Sequence, residues 1–344
     1  MARRTRKSLW GSSLKRTLGA ITRATLRSGT RVLIKAGTRA VQSAVGPKAL
    51  RLRSKQAPAL AARWITGVAL GAGSARRYRL CRPPGPTATA PLPLLVMLHG
   101  CDQDATGFAR STRLQALAAR AGWMLLFPEQ ERLANPQGCW NWFETRGGRA
   151  FTEAASIVAA IDQACALHGA DPARVAIAGL SAGASMAGLI ALHYPQRFKA
   201  VAMHSGVPPG AAHSTATALS AMQGRRTPQP LAPNAALPPL LVIQGSADPL
   251  VRPSNGRTAA ELWADAAVAL PSAPRQVQRG KRRPMTLTDF KQRGRLVATL
   301  CEVAGLRHAW SGGAAGQPYS DPQGPDASRL ILAFVARAFA HATG

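Results

Sequence analysis

The chain has 344 residues, of which 46% are hydrophobic, enough to bury a core and to exclude a protein that is disordered throughout. Its formal net charge is +29, and residues 1–55 carry 15 Lys or Arg with no acidic residue before Asp102. The rest of the chain keeps 29 basic against 15 acidic residues, so the composition predicts attraction to anionic surfaces or polyanions. The five cysteines show no C-x-x-C spacing, which excludes a zinc ribbon or redox motif of that kind.

Residues 1–60 are predicted to be a basic tail, partly helical or disordered. On a helix, Trp10, Leu14, Leu18 and Ile21 fall on one side and basic residues on the other. This amphipathic pattern predicts docking of residues 1–55 on a granule or an anionic membrane, and a disordered basic leader is the alternative. Arg and Lys interrupt every apolar stretch near the N-terminus, so neither a signal peptide nor a membrane span is predicted.

Residues 61–344 have the pattern of one α/β domain. Nearly continuous apolar runs predict buried strands at 93–100, 122–129, 174–181, 198–206 and 238–248. Helix-compatible segments lie between them at 113–121, 153–169 and 184–195. This alternation predicts a mostly parallel sheet flanked by helices, with Pro/Gly-rich connectors at 207–239 and 271–284 forming surface excursions.

The segment Gly179-Leu180-Ser181-Ala182-Gly183 matches G-x-S-x-G. Alone the pattern is weak, but here an apolar strand leads into it and an Ala-rich helix pattern follows. In that setting the serine lies on a tight turn with its hydroxyl exposed, and the glycines allow strand and helix to approach closely. The context therefore predicts Ser181 as a nucleophile.

A serine nucleophile needs a base and an acid that orients the base. In this topology they follow the serine in the order acid, then histidine. Asp248 follows the apolar run 238–245, and His308 follows the apolar-rich segment 296–306, so both are expected at carboxyl ends of strands, where ligands bind in open α/β sheets.

Other acidic residues and histidines are alternatives for the acid and the base. Asp321 and Asp326 are stand-ins for the acid, although their surroundings indicate a turn before a helix. His99 is expected to shape a turn, and His168 and His193 are expected at helix ends. His204 and Ser205 end a predicted strand, where they are expected to line the pocket. The backbone N–H groups of Cys101 and Ala182 are predicted to form the oxyanion hole.

The motifs "HGC", "GCWNWFE", "GLSAGASMA", "GSADPLVRPSN" and "HAWSGG" with "SDPQGPDAS" resemble the PHB depolymerase-type esterases, α/β-hydrolases that include type 1 catalytic domains of short-chain-length polyhydroxyalkanoate depolymerases. The resemblance runs from about residue 65 to the C-terminus. It implies Ser181, Asp248 and His308 as the catalytic triad.

The resemblance also implies that Trp140 and Trp142 flank the pocket and that Cys101 and Cys139 form a disulfide. Trp310, beside the histidine, is expected to line the same site, and packing inside the protein is the alternative for all three tryptophans. Arg307 departs from the family pattern, because members usually carry Gly directly before the histidine. This departure puts the local loop conformation in question.

The function expected from the resemblance is a serine carboxylester hydrolase acting on poly(3-hydroxybutyrate) or hydroxyalkanoate oligomers, with no metal or organic cofactor. The alternatives are a short-chain esterase of acetyl-xylan or feruloyl type and a non-catalytic polyanion-binding protein, since the fold does not fix the substrate. No sequence-specific nucleic-acid binding is expected. The resemblance implies an extracellular location, and a cytoplasmic, granule-associated protein is the alternative.

Overall fold

The computed structural model describes residues 62–71, 74–84 and 90–341. Its strands are β1 Arg63–Gly71, β2 Ser74–Arg82, β3 Leu92–Leu98, β4 Met124–Pro128, β5 Ala170–Leu180, β6 Ala200–His204, β7 Leu240–Gly245, β8 Leu270–Pro271, β9 Arg275–Val277, β10 Met285–Gln292, β11 Arg295–Val303, β12 Trp310–Ser311 and β13 Ser320–Asp321. Its helices are α1 Ala105–Thr112, α2 Leu114–Ala121, α3 Arg149–His168, α4 Ala182–His193, α5 Thr215–Met222, α6 Ser254–Ala266 and α7 Ala327–His341, and a 3-10 turn spans Pro195–Arg197. The tail, residues 1–60, lies outside the described residues, so its predicted structure and the domain boundary after residue 60 stay predictions.

The central sheet has the strand order β1-β2-β4-β3-β5-β6-β7-β11-β10-β8, and β9 also pairs with β10. The six strands from β4 to β11 in this order are parallel. Antiparallel pairs extend the sheet on both sides, β1 and β2 at one end and β10 with β8 and β9 at the other. A separate two-stranded parallel ladder joins β12 to β13.

The parallel strands are buried because helices cover both of their faces. Side chains that alternate along β3 enter different hydrophobic clusters: Leu94 and Val96 belong to one, and Leu95 and Met97 belong to the other. Burial on both faces explains why these strands read as continuous apolar runs rather than as alternating patterns.

The expected fold class is confirmed, since the chain has an α/β-hydrolase fold. The predicted strands and helices lie at the expected places, with ends shifted by a few residues. The β1–β2 hairpin, the β10–β11 hairpin that makes one side of the sheet antiparallel, and the helices α1 and α6 were not predicted. Both connectors also contain regular structure, namely α5 and β9.

Helix α3 is long and apolar enough to cross a membrane, judged by length and composition alone. It lies against β1, β2 and β5 and against α4. Its residues Ile157, Ala160 and Ile161 are buried in the hydrophobic core. These contacts identify α3 as a core helix.

Candidate active site

Ser181 lies on the turn between β5 and α4, in a strained backbone conformation. Its φ of 55° and ψ of −120° are rare for a residue with a side chain. The Ser181 N–H donates to the carbonyl of His204 on the neighbouring strand β6, at 2.9 Å. Strain of this kind persists only where surrounding contacts enforce it, and it is frequent at catalytic sites.

The two glycines of the motif are required by close backbone approaches. A Cβ on Gly179 would overlap the backbone of Gly183. A Cβ on Gly183 would overlap the carbonyls of Leu98 and His99 at the end of β3. The glycines therefore let the turn pack directly against the end of β3. This contact holds Ser181 at the carboxyl edge of the sheet.

His308 and Asp248 complete a hydrogen-bonded chain with Ser181. His308 Nε2 lies 2.9 Å from Ser181 Oγ, and its Nδ1 lies 2.8 Å from Asp248 Oδ2. The three side chains follow β5, β7 and β11, whose carboxyl ends meet at one edge because the strands are parallel. The sequence predicted this set of residues, and the structure brings them together.

Asp248 is buried, with 2% of its surface exposed. Its Oδ1 accepts the N–H groups of Leu250 at 3.0 Å and Val251 at 2.9 Å. Burial raises the pKa of this carboxyl, but the bond to His308, the charge of His308 and the two N–H groups lower it more, so the net pKa lies below its ordinary value. The carboxylate is therefore ionised at neutral pH and can orient the imidazole.

The alternative acids are engaged elsewhere. Asp321 pairs with Arg283 at 2.9 Å, and Asp326 accepts the N–H of Arg329 at 3.0 Å in the first turn of α7. Their carboxylates therefore have partners other than His308.

The alternative histidines also have structural partners. His99 faces the carbonyl of Gly100 through Nδ1 at 2.8 Å and accepts the N–H of Gln130 through Nε2 at 3.1 Å. Burial lowers the pKa of His99 to about 4, so the ring is neutral at neutral pH. His168 bonds to the hydroxyl of Tyr78, and His193 packs against aromatic rings at the end of α4.

The predicted oxyanion donors lie beside the nucleophile. Ala182 is the first residue of α4, where a backbone N–H has no acceptor within the helix. Gly100 packs on the turn, since a Cβ placed there would lie 3.5 Å from the Cβ of Ser181. Within the described residues, neither the Ala182 N–H nor the Cys101 N–H donates to a protein acceptor. Their assignment as the oxyanion hole stays a prediction.

Cys101 and Cys139, the pair implied by the resemblance, form a disulfide. The neighbouring backbone is fixed as well: Asp102 donates its N–H to the carbonyl of Gln137 at 2.8 Å, and Gly100 donates to the side chain of Gln103 at 3.0 Å. The loop after β3, which carries the Cys101 N–H, is thereby held at a fixed position.

Burial contradicts the expectation that Trp140 flanks the pocket. Its side chain is fully buried, its indole N–H donates to the carbonyl of His99 at 3.0 Å, and the guanidinium of Arg76 lies 5.1 Å from its ring. Trp140 therefore supports the loop after β3 from inside. Trp142 has 7% of its surface exposed and packs edge-on against Phe143, so its substrate contact stays a prediction.

Trp310, His204 and Ser205 likewise do not line an open pocket, because all three are buried. Trp310 packs edge-on against Phe108 and stacks on the His204 ring, with centroids 5.4 and 5.1 Å apart. His204 Nε2 accepts the backbone N–H of Ser311 at 3.1 Å. All three side chains are therefore enclosed by other parts of the protein.

Arg307 is exposed, and its backbone is not left-handed. The loop before His308 therefore does not need glycine at this position. Glycine is needed on the facing strand instead, since a Cβ on Gly245 would overlap the carbonyl of Leu306. The Ala247 N–H donates to the same carbonyl at 3.1 Å, so this close approach fixes the loop that carries His308.

Gln244 is a supporting residue that the sequence analysis missed. It is 1% exposed, and its Nε2 donates to Asp248 Oδ2 at 3.4 Å and to the carbonyl of Val251 at 3.1 Å. A single amide within the apolar run "LLVIQG" was the available signal, because a buried polar side chain requires a partner.

A cavity of about 1230 Å³ lies at the opposite edge of the sheet. Its lining includes Lys199 and Pro239, which directly precede β6 and β7, and Phe334 of α7. None of Ser181, Asp248 and His308 lines this cavity. It is therefore separate from the candidate active site.

No group of three or more His, Cys, Asp or Glu side chains within the described part of the chain is placed to hold a metal ion. In a chain of serine, histidine and aspartate the histidine takes up the serine proton and the aspartate orients the histidine, so this chemistry calls for no metal ion. The expectation that this protein needs no metal or organic cofactor stays a prediction.

The family model for esterase PHB depolymerase matches residues 76–244. The chain is 34% identical over 196 residues to poly(3-hydroxyalkanoate) depolymerase C of Paucimonas lemoignei, covering 53% of this chain and 46% of that protein. It is 34% identical over 128 residues to feruloyl esterase B of Neurospora crassa, covering 36% and 42% of the two chains. The chain thus spans less than half the length of these two relatives.

Acetylxylan esterases are also similar in sequence and in structure. Acetylxylan esterase A of Emericella nidulans is 26% identical over 205 residues, which cover 54% of this chain and 66% of that protein. The solved structure of acetyl xylan esterase from Aspergillus awamori superimposes with a TM-score of 0.57 at 18% identity, over 72% of this chain and 94% of that one. At this identity the structural likeness shows the fold alone.

Proposed function

We propose that this chain, which matches the family model for esterase PHB depolymerase over residues 76–244, is a serine carboxylester hydrolase with Ser181, His308 and Asp248 as its catalytic triad. The substrate is a polyester or a small ester, with poly(3-hydroxybutyrate) or its short oligomers as the first choice. The relative named poly(3-hydroxyalkanoate) depolymerase C supports this choice.

One observation carries the proposal: Ser181 Oγ, His308 and Asp248 form a continuous hydrogen-bonded chain at a glycine-flanked turn. The family match ends at residue 244, so it contains Ser181 but neither Asp248 nor His308. The base and the acid are therefore supported by geometry, independently of that match. A non-catalytic polyanion-binding protein would have no use for this arrangement.

The reaction proceeds through an acyl-enzyme. His308 Nε2 accepts the Ser181 proton while Oγ bonds to the ester carbonyl carbon, and the tetrahedral intermediate then expels the alcohol, which takes the proton from His308. A water molecule then loses a proton to His308 and attacks the acyl carbon. The second tetrahedral intermediate breaks its bond to Ser181 Oγ, which takes the proton back from His308 as the acid leaves. Asp248 keeps the Nδ1 proton of His308 in place and stabilises the imidazolium at each step.

The backbone N–H groups of Cys101 and Ala182 stabilise the oxyanion of both tetrahedral intermediates. Loss of one such donor costs about 10²- to 10³-fold in kcat in comparable enzymes. The disulfide at Cys101 and the seating of Gly183 on β3 hold the two donors in position. This preorganisation means that little rearrangement is needed when charge develops on the carbonyl oxygen.

A second candidate is a short-chain esterase that removes acetyl or feruloyl groups. The relatives named feruloyl esterase B and acetylxylan esterase A favour it. The same triad would serve these esters, because the acyl and alcohol groups are selected by the surrounding surface rather than by the triad.

Covalent trapping tests the proposal. We expect a fluorophosphonate probe to add one mass increment per chain, on the peptide that contains Ser181, and to abolish hydrolysis of p-nitrophenyl butyrate. Release of 3-hydroxybutyrate from amorphous polymer, of acetate from acetylated xylan and of ferulate from methyl ferulate then ranks the substrate classes. Hydrolysis that survives complete labelling, or labelling of another serine, would overturn the triad assignment.

Residues 1–55 are further proposed to dock the enzyme on a granule or an anionic membrane. Their 15 basic and no acidic residues support this interaction. We expect the full chain with these 15 residues changed to Gln to lose most of its activity on amorphous granules at low salt. Its kcat/KM on p-nitrophenyl butyrate should be unchanged, and equal granule activity of the two proteins would contradict docking.

A further inference from the structure

His204 lies between the nucleophile and the segment that follows His308. It is the last residue of β6, next to β5, and its carbonyl accepts the Ser181 N–H at 2.9 Å. Its backbone therefore takes part in holding the strained turn at Ser181. Its side chain points away from solvent and makes a second set of contacts.

The His204 ring is fully engaged with the segment after His308. Nε2 accepts the N–H of Ser311 at 3.1 Å, Nδ1 lies 3.1 Å from Ser205 Oγ, and the ring stacks on Trp310 at an interplanar angle of 23°. Because the Ser311 N–H is a donor, Nε2 must be unprotonated. In the neutral ring the proton then lies on Nδ1 and can be donated to Ser205 Oγ.

The surroundings keep this ring neutral. Burial lowers the pKa of His204 to about 3, the positive charge of His308 lowers it as well, and the carboxylate of Asp248 acts in the opposite direction. A neutral neighbour matters for the proposed cycle, since His308 becomes positively charged twice in each turnover. A second cation at His204 would destabilise that imidazolium and would also lose the acceptor for Ser311.

Several contacts besides that with His204 hold the segment after His308: Ser311 Oγ donates to the carbonyl of Pro325 at 2.6 Å, the Trp310 indole N–H donates to Ser328 Oγ at 3.2 Å, and the Gly312 N–H donates to the carbonyl of Asp321 at 2.8 Å. Trp310 donates its N–H to the carbonyl of Tyr319 at 2.8 Å within the two-residue ladder of β12 and β13. Ser311 is only three residues from His308, so the position of its backbone limits where the imidazole can lie. The one side chain that accepts the Ser311 N–H is His204.

From this geometry we propose that His204 is a positioning residue, whose Nε2 fixes the Ser311 backbone and thereby keeps His308 within hydrogen-bonding distance of both Ser181 and Asp248. The proposal rests on the proposed esterase function. It assigns His204 no contact with substrate, in agreement with its burial.

Two substitutions of His204 distinguish the effect of losing the hydrogen-bond acceptor from the effect of losing the aromatic ring. His204→Phe keeps a ring to stack on Trp310 but removes the acceptor, whereas His204→Gln offers an amide oxygen near the place of Nε2 without the ring. We expect His204→Phe to lower kcat by about 10- to 100-fold with KM within about 2-fold, because misplacing a catalytic group by about 1 Å costs up to about 10²-fold. His204→Gln should recover kcat to within about 5-fold of the wild type by the same reasoning.

Two further readouts exclude a general loss of structure. Rates are expressed per active site counted from the p-nitrophenol burst, so an unfolded fraction does not contribute. The acid limb of the pH profile of kcat/KM should shift in His204→Phe and lie at the wild-type position in His204→Gln. This limb reports the ionisation of the base His308, which depends on its contact with Asp248. His193→Phe, the same change at the far end of α4, is the matched control and should leave the profile unchanged.

The outcomes separate failure of this proposal from failure of the proposed function. If the wild type shows neither a burst nor labelling at Ser181, the esterase function itself is wrong. If the wild type is active, equal losses in His204→Phe and His204→Gln would show that an acceptor at this place does not position His308, and a loss in His204→Gln alone would show that the ring only packs against Trp310; either result overturns the proposal. Wild-type kcat per active site in His204→Phe would also overturn the positioning role.

Discussion

Replacing Ser181 by alanine is expected to lower kcat for p-nitrophenyl butyrate by about 10⁴- to 10⁶-fold, as removal of the nucleophile does in other triad hydrolases. In the proposed mechanism the hydroxyl oxygen forms the acyl-enzyme, and within the described residues its hydrogen bond goes to His308. Alanine keeps the Cβ that already fits this turn. The urea midpoint should therefore stay close to that of the wild type, and retained hydrolysis would overturn the nucleophile assignment.

Asp248→Asn extends this prediction to the acid. It should lower kcat by about 10⁴-fold, because the amide no longer holds the tautomer in which Nε2 can accept the Ser181 proton. Asp321→Asn is the matched comparison, since the Asp321 carboxylate pairs with Arg283 rather than with His308. If Asp321→Asn lost as much activity as Asp248→Asn, the acid would be wrongly assigned.

The sequence was sufficient to predict the parallel half of the fold and the three side chains that meet in one hydrogen-bonded chain, Ser181, His308 and Asp248. Strands such as β4 and β6 are buried along their whole length, so their apolar runs are long enough to recognise. In this fold a reactive side chain follows the end of such a run. Ser181, Asp248 and His308 were therefore found by position as well as by residue type.

The sequence could not show which aromatic residues near the motifs face solvent. Trp140 and Trp310 lie next to functional segments in the chain, but both pack inward and donate their indole N–H groups to protein acceptors. Their direction depends on tertiary contacts with Arg76 and Phe108, which come from distant segments. Proximity in sequence to a motif therefore did not distinguish a side chain that lines the pocket from one that packs inside the protein, and burial favours packing for both tryptophans.

The antiparallel edges were missed for a related reason. Strand β1 is largely half-buried or exposed, and β2 contains four arginines, so neither shows an apolar run. The departure at Arg307 has a similar explanation, because the tight packing requires glycine at Gly245, on the strand that faces the loop. Such a requirement depends on which backbone segments meet, and a single sequence does not show that.

The second large effect is expected at Gly183, where the turn seats on β3. Its Cα faces the carbonyls of Leu98 and His99 so closely that a methyl group would overlap both. Since backbone atoms cannot rotate away as a side chain can, Gly183→Ala must move either α4 or the end of β3. Overpacking of this kind costs about 1–3 kcal/mol of unfolding free energy, and more where the backbone is constrained.

The same displacement should reduce activity beyond the loss of stability, because it moves Ser181 and the N–H of Ala182 away from the loop that carries Cys101. We expect kcat per folded chain to fall by at least about 10²-fold, the cost of misplacing reacting groups by about 1 Å. Urea unfolding and burst titration of Gly183→Ala measure the two losses separately. Gly147→Ala is the matched control, since a Cβ there meets no atom within 4 Å, and it should leave both quantities unchanged. Wild-type stability and kcat in Gly183→Ala would mean that contact with β3 does not hold the nucleophile in place.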